Sequence, residues 1–158
     1  MCCPTGALHY ERKDGGQMET VPDENVIRIS ANGPLYVRGD IQITAPDGSL
    51  ILQDTRVALC RCGASTNKPF CDNTHLQIAF QDTAAGASTA SEKISAAREK
   101  LNITPLSNAP LKIKGGMEIR NANEEVIFRG QEASLCRCGG SKNKPFCDGS
   151  HSQIGFSD

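Results

Sequence analysis

A cysteine-rich stretch of sixteen residues occurs twice in this chain of 158 residues, from Cys60 to His75 and from Cys136 to His151. Each copy reads Cys, one residue, Cys, eight residues, Cys, three residues, His. Thiolates and imidazoles are the ligands that zinc and iron–sulfur centres prefer, so four of them in one short loop predict a metal site in each copy. The candidate ligands are Cys60, Cys62, Cys71, His75, Cys136, Cys138, Cys147 and His151.

The segments that flank the two stretches are duplicated as well. Leu35-Tyr-Val-Arg-Gly39 is matched by Leu111-Lys-Ile-Lys-Gly115, and the offset of 76 residues continues through the metal loop without a gap. Apolar and polar residues alternate before each loop, and Pro46-Asp-Gly48 is typical of a tight turn between strands. The pattern predicts a small, mostly β protein built from two duplicated β and metal-loop units.

The remaining segments predict an arm and a linker. Thr89-Ala-Ser-Glu92 has the pattern of a helix capping box, and it predicts one surface helix from about Ala90 to about Leu101. The predicted division is residues 1–24 as an N-terminal arm, 25–80 as the first unit, 81–105 as a linker with the helix and 106–158 as the second unit.

Composition narrows the class of protein. The net charge is −1, so no basic excess indicates a nucleic-acid partner. No stretch approaches the length of a membrane span, and the first residues lack the basic and apolar regions of a secretory signal. We therefore expect a cytoplasmic protein in a reducing compartment, which disfavours a disulfide framework. No catalytic constellation is visible, and we expect a protein that is not an enzyme.

The motifs use six of the eight cysteines and two of the three histidines. Cys2 and Cys3 remain, and no further ligand lies at the usual spacing from them, since His9 is the one histidine left. They are therefore predicted to be free thiols rather than a third metal site.

The duplicated motif resembles that of the CDGSH iron–sulfur domain family, in a tandem, mitoNEET-like form. The second copy matches the family pattern at Cys136, Cys138, Ser141, Pro145, Cys147, Asp148, Gly149, Ser150 and His151. The first copy departs from it at Asn73, where the family has Gly. The departure is mild, because Gly at such a turn supplies a positive φ and Asn tolerates that conformation next best.

The resemblance implies two [2Fe–2S] clusters with three-Cys, one-His ligation. Cys60 and Cys62 would hold one iron of the first cluster and Cys71 with His75 the other. In the second cluster the pairs would be Cys136 with Cys138 and Cys147 with His151. The implied function is single-electron transfer, pH-sensitive cluster transfer, or both, with redox proteins or apo-acceptor proteins as partners.

The resemblance also implies the assembly. Family members with one motif are homodimers that exchange strands, so this duplicated chain is expected to be a monomer with an internal pseudo-two-fold axis. The alternative is a zinc-stabilised interaction module without a redox role, because three Cys and one His are also a structural zinc set. The residues by themselves leave zinc and iron–sulfur open, and the resemblance favours iron–sulfur.

Residues near the ligands are predicted to support each site. Gly63 would let the backbone approach inorganic sulfide, Ser65 would donate a hydrogen bond to sulfur, and Asp72 would cap the turn that carries the histidine. Arg61 and Lys68 would either balance the charge of the cluster or form a solvated rim. The counterparts in the second copy are Gly139, Ser141, Asp148, Arg137 and Lys144.

Overall fold

The protein is mostly β, as predicted, in a computed structural model that describes residues 20–86 and 99–158. The elements are β1 (Val26–Ile29), β2 (Leu35–Thr44), β3 (Leu50–Leu59), α1 (Thr74–Gln77), β4 (Leu101–Pro105), β5 (Leu111–Arg120), β6 (Val126–Leu135) and α2 (Ser150–Gln153). Neither helix in this described part is long and apolar enough to cross a membrane.

Two long antiparallel hairpins, β2–β3 and β5–β6, form the bulk of the fold. In β2 the alternation predicted from the sequence is present, since Leu35, Val37, Ile41 and Ile43 point into the core. The predicted turn joins β2 to β3, and the amide of Gly48 donates to the carbonyl of Ala45 at 2.9 Å. The second hairpin repeats this arrangement 76 residues later.

The two repeats exchange their first strands. β1 pairs antiparallel with β2 of its own repeat and parallel with β5 of the other repeat. β4 does the converse, pairing antiparallel with β5 and parallel with β2. Strands β1, β2, β4 and β5 therefore close into a ring, with β3 and β6 outside it. The predicted internal pseudo-two-fold arrangement is confirmed, and neither repeat completes its sheet without the other.

One apolar core lies inside this ring and is shared by both repeats. Its members that are entirely excluded from solvent include Ile27, Leu35, Ile41, Ile43, Leu101, Ile103, Leu111, Ile113 and Ile119. Each such side chain contributes about 1.5–3 kcal/mol by leaving water. Because the members come from both halves, the repeats are stabilised together.

Strand β4 lies within the stretch that the sequence analysis assigned to the linker, and its strand character was missed. It is the counterpart of β1 at the same offset of 76 residues. Its sequence, Leu-Asn-Ile-Thr-Pro, alternates over only five residues and ends in a residue that cannot donate a hydrogen bond. Pairing with a neighbour on each side makes the segment a strand despite this weak local pattern.

The predicted linker helix falls mainly on residues 87–98, which lie outside the described residues. Its predicted end is wrong, because Leu101 is the first residue of β4 and is fully buried in the core. Most of the predicted N-terminal arm, with Cys2, Cys3 and His9, also lies outside the described residues, which begin at residue 20.

Candidate metal centres

Each metal loop begins where the second strand of a hairpin ends. In the first loop the amide of Cys60 donates to the carbonyl of Pro69, at 2.8 Å, and that of Cys71 donates to Ala58, at 2.9 Å. These two bonds fold the loop back onto the end of β3, which brings its first and third cysteines together. The second loop makes the corresponding bonds from Cys136 to Pro145 and from Cys147 to Ser134, both at 2.8 Å.

The histidine of each loop follows a residue in the left-handed conformation. Asn73 has φ 70° and Gly149 has φ 86°, which confirms the predicted equivalence of these two positions. Asp72 accepts hydrogen bonds from the amides of Thr74, at 3.0 Å, and Thr66, at 2.8 Å, so it caps α1 as predicted. Bonds from Thr74 and Thr66 hold the pKa of Asp72 well below its usual range.

The candidate ligands lie in close pairs. Cys60 Sγ is 3.7 Å from Cys62 Sγ, and Cys71 Sγ is 3.5 Å from His75 Nδ1. The second loop has the same pairs, Cys136 with Cys138 at 3.6 Å and Cys147 with His151 Nδ1 at 3.4 Å. Two thiolates bound about 2.3 Å from one tetrahedral metal are about 3.7 Å apart, so each pair has the spacing of two ligands on one ion.

The pairs do not merge into four-ligand sites for a single ion. Within residues 20–86 and 99–158, no group of three or more His, Cys, Asp or Glu side chains converges closely enough to hold one metal ion. A structural zinc ion requires four ligands around one centre. Two separate pairs fit a unit of two metals with two protein ligands on each, which is the requirement of a [2Fe–2S] cluster.

The thiols have environments that disfavour free thiolates. Burial raises the pKa of the thiols of Cys62, Cys71 and Cys136, and a neighbouring cysteine of the same site raises it further in each case. The thiolate form therefore needs a compensating positive charge, which a bound metal supplies.

The support predicted for Ser65 is wrong. Its hydroxyl donates to the carbonyl of Phe70 at 2.7 Å and accepts from the amide of Asn67 at 3.1 Å, so its one proton is directed at the loop backbone and not at sulfur. Ser141 does the same with Phe146 at 2.7 Å. Backbone donors to sulfur are present, as predicted: the amides of Gly140 and Gly149 lie 3.4 Å from Cys138 Sγ and Cys147 Sγ.

The two arginines beside the first ligands are buried, so a solvated rim is wrong for them. Arg61 and Arg137 are each only 2% exposed. Arg61 forms an ion pair with Asp82, donates to the carbonyl of Gly33 at 2.6 Å and stacks over Phe80 at 5.1 Å. These contacts tie the metal loop to the turn before β2 and to the segment after the histidine.

Arg137 occupies the same position in the second repeat, where it pairs with Asp158 at 2.5 Å and stacks over Phe156 at 5.2 Å. The sequence analysis gave no role to these acidic and aromatic partners. Their signal was the repeat itself, since Phe80 and Asp82 recur as Phe156 and Asp158 at the common offset. The lysines are bound locally: Lys68 Nζ donates to Ser65 at 2.8 Å and Lys144 Nζ to Ser141 at 2.6 Å.

The two metal loops contact each other across the repeats. The backbones of Cys62 and Cys138 form an antiparallel bridge. A side chain at Gly63 would collide with the carbonyl oxygen of Cys138, and one at Gly139 would lie 2.6 Å from that of Cys62. Both glycines have positive φ, +85° and +78°. Their small size therefore serves the contact between the loops, where an approach to sulfide was predicted.

Comparison with protein-family models finds one family, described as iron-binding zinc finger, CDGSH type, at residues 32–76 and 108–152. The matches are separated by the offset of the internal repeat, and each covers a hairpin and its metal loop through the histidine. Together they span more than half of the chain. Comparison with individual curated proteins finds no match. The chain therefore belongs to the CDGSH-type iron-binding family, with two copies of the family domain in one polypeptide.

Proposed function

We propose that the protein carries two [2Fe–2S] clusters and acts in single-electron transfer, cluster transfer, or both. The observation that carries this proposal is the arrangement of ligands as two pairs in each loop, with no convergence on one ion among the described residues. The proposed ligands are Cys60, Cys62, Cys71 and His75 for the first cluster, and Cys136, Cys138, Cys147 and His151 for the second.

Such a cluster accepts and releases one electron, and a neutral imidazole in place of one thiolate raises its potential. The chain supplies the ligands in a fixed order of burial. Cys60 and Cys136 are buried, whereas Cys62, Cys71 and Cys147 are half-buried. The imidazole of His75 directs Nδ1 toward its cysteine partner, so the ring must be neutral and carry its proton on Nε2 to bind metal.

The histidine side of each loop is the face that we propose for partners. Leu76, Ile78 and Ile154 are large apolar residues that remain exposed next to the two histidines. A redox protein could approach the cluster here without rearranging the loop, whereas delivery to an apo-acceptor protein requires the ligands to release it. The histidine is the ligand that a proton can displace at mildly acidic pH, because protonated imidazole cannot bind metal.

The proposed carrier is not an enzyme and works as a single chain in a reducing compartment such as the cytoplasm. Closure of the strand ring within one polypeptide supports a monomer, because β1 and β4 already occupy the positions between the hairpins. Sedimentation of the holo protein at several concentrations tests this. A dimer that resists dilution would contradict it.

Metal analysis of the purified protein tests the cofactor. Two sites of two irons each require about four iron and four acid-labile sulfide per chain, with visible absorbance. About one zinc per loop, no sulfide and no colour would contradict the proposal and support the zinc-stabilised module. Reductive titration, run beside transfer to an apo-ferredoxin, then separates electron transfer from cluster transfer.

A further inference from the structure

A cavity of about 670 Å³ lies on the outward-facing side of the sheet that contains β1. Four arginines line it, Arg28, Arg38, Arg56 and Arg120, which come from β1, β2, β3 and β5. No candidate metal ligand is part of its wall. A volume of this size is within the usual range for small-molecule sites, about 300–1,000 Å³.

The cavity contains a pair of like charges that the sheet itself does not explain. Arg38 and Arg56 lie directly opposite each other on β2 and β3, and like charges in such positions destabilise a sheet. At the corresponding position of the other repeat, Lys114 lies opposite Glu132 with an ion pair of 3.3 Å. The first repeat therefore has two cations where the second repeat has a neutral pair.

The charges around the cavity leave a positive region at this pair. The lining carboxylates are Asp23 and Glu24, two against four guanidinium groups. Arg28 is bound to Glu124 at 2.8 Å and Arg120 to Glu118 at 2.5 Å, so those two arginines are engaged. A further residue, Arg129, shares Glu118 at 2.7 Å. In the part of the chain that the structure describes, Arg38 has no carboxylate within ion-pair distance.

The rest of the wall suits an organic group. The ring of Tyr36 and the apolar side chains of Pro22 and Val26 line the same cavity. Arg56 and Tyr36 also line a neighbouring cavity of about 360 Å³ that reaches Cys71. A molecule bound at Arg56 would therefore be separated from the first metal loop by little more than one side chain.

We propose that this cavity binds a small organic phosphate. Guanidinium groups bind phosphate oxygens in a two-pronged geometry, and two of them side by side match the double negative charge of a phosphate monoester. The phosphate lies against Arg38 and Arg56, and the organic part lies against Tyr36 and Val26. The site is specific to the first repeat, because Lys114 and Glu132 already neutralise each other in the second.

The test uses the full-length holo protein with phenyl phosphate as the probe, measured by titration calorimetry. The matched variants are Arg38→Gln, which removes an exposed arginine of the cavity, and Lys114→Gln, which removes the corresponding cation of the other repeat. Loss of a charge-assisted hydrogen bond weakens binding about tenfold or more, so we expect that loss in Arg38→Gln and a change of less than about twofold in Lys114→Gln.

Further probes separate the parts of the proposal. Inorganic phosphate should bind more weakly than phenyl phosphate, and the dicarboxylate phthalate more weakly still. Phenyl phosphate should raise the midpoint of thermal unfolding of the parent and of Lys114→Gln, and should have little effect on Arg38→Gln. No saturable binding of phenyl phosphate, or equal weakening in the two variants, would overturn the site. Equal binding of inorganic phosphate would overturn the role of the apolar wall, and tighter binding of phthalate would overturn the choice of phosphate.

Discussion

The two candidate histidine ligands differ in their access to solvent. His75 is buried, with 8% of its surface exposed, whereas His151 is half-buried. The acidic caps are not responsible for sensitivity at mild acidity, because hydrogen bonds lower the pKa of Asp72 and Asp148. A lowered carboxyl pKa gives stability that is present above about pH 4 and is lost only as pH falls further toward the folded-state pKa. Loss of colour above that range must come from another group.

We predict that acid releases the clusters through the histidines and that the second centre fails first. Visible absorbance should decay faster at about pH 5 than at about pH 8, since free imidazole titrates near 6.5. The decay should have two phases, the faster one from the centre with the more exposed His151. Stopped-flow absorbance on His151→Cys and His75→Cys assigns the phases, because each variant should slow its own.

A double variant is the control for this acid prediction. His75→Cys combined with His151→Cys leaves thiolate ligands and removes the imidazoles from both centres. If the double variant lost colour on acidification as fast as the parent, protonation of histidine would not be the step that releases the clusters.

At the level of elements, the two metal loops form one contact. Cys62 and Cys138 share a backbone bridge, and glycine at positions 63 and 139 allows that approach. The positive charge of Arg61 also extends to the other repeat, since burial lowers the pKa of this guanidinium while Asp82 and the thiols of Cys136 and Cys62 raise it. Damage to one loop should therefore reach the other.

Gly63→Ala should destabilise the second centre although it changes the first loop. The new methyl group collides with the carbonyl of Cys138 and also requires a left-handed backbone, which costs an alanine about 1–2 kcal/mol. Gly48→Ala is the control, because Gly48 has a similar φ of +88° and nothing within 4 Å of the added carbon. Iron content and the rate of colour loss of each centre are the measurements. Equal effects of the two substitutions would mean that the loop contact contributes nothing beyond backbone strain.

At the level of the whole molecule, strand exchange joins the repeats into one cooperative unit. β1 and β4 each pair with a hairpin from the other repeat, and the core between them is continuous. Neither half has a hydrophobic core of its own that could remain folded after the other half opens.

Ile103→Ala in β4 should therefore weaken both halves together. Ile103 is fully buried, and its truncation should cost about 2–5 kcal/mol of unfolding free energy. Denaturant unfolding followed by circular dichroism and by visible absorbance should give one coincident transition at a lower midpoint. Ile78→Ala, at a site that is 48% exposed, is the control and should change little. Separate transitions, or loss of the second centre only, would contradict a shared core.

Local pattern was enough to predict the strands of the two hairpins, the turn at Gly48 and the positive φ at Asn73. Alternation and turn chemistry depend on neighbours in the chain, so they can be read from the sequence. The spacing of three cysteines and one histidine also predicted which side chains would lie together. The prediction failed for strand β4, where only pairing with β2 and β5 makes a strand of a weak pattern.

Contacts between the repeats were decided by the tertiary structure. The roles of Gly63 and Arg61 changed from the predicted ones, because the partners of these residues are distant in sequence or belong to the other loop. The same is true of the opposed Arg38 and Arg56, whose conflict appears only when β2 and β3 are placed in register. Sequence periodicity specifies which face of a strand a residue occupies. Which residue lies opposite it depends on how the whole chain closes, since that register is set by the packing of both repeats around one core.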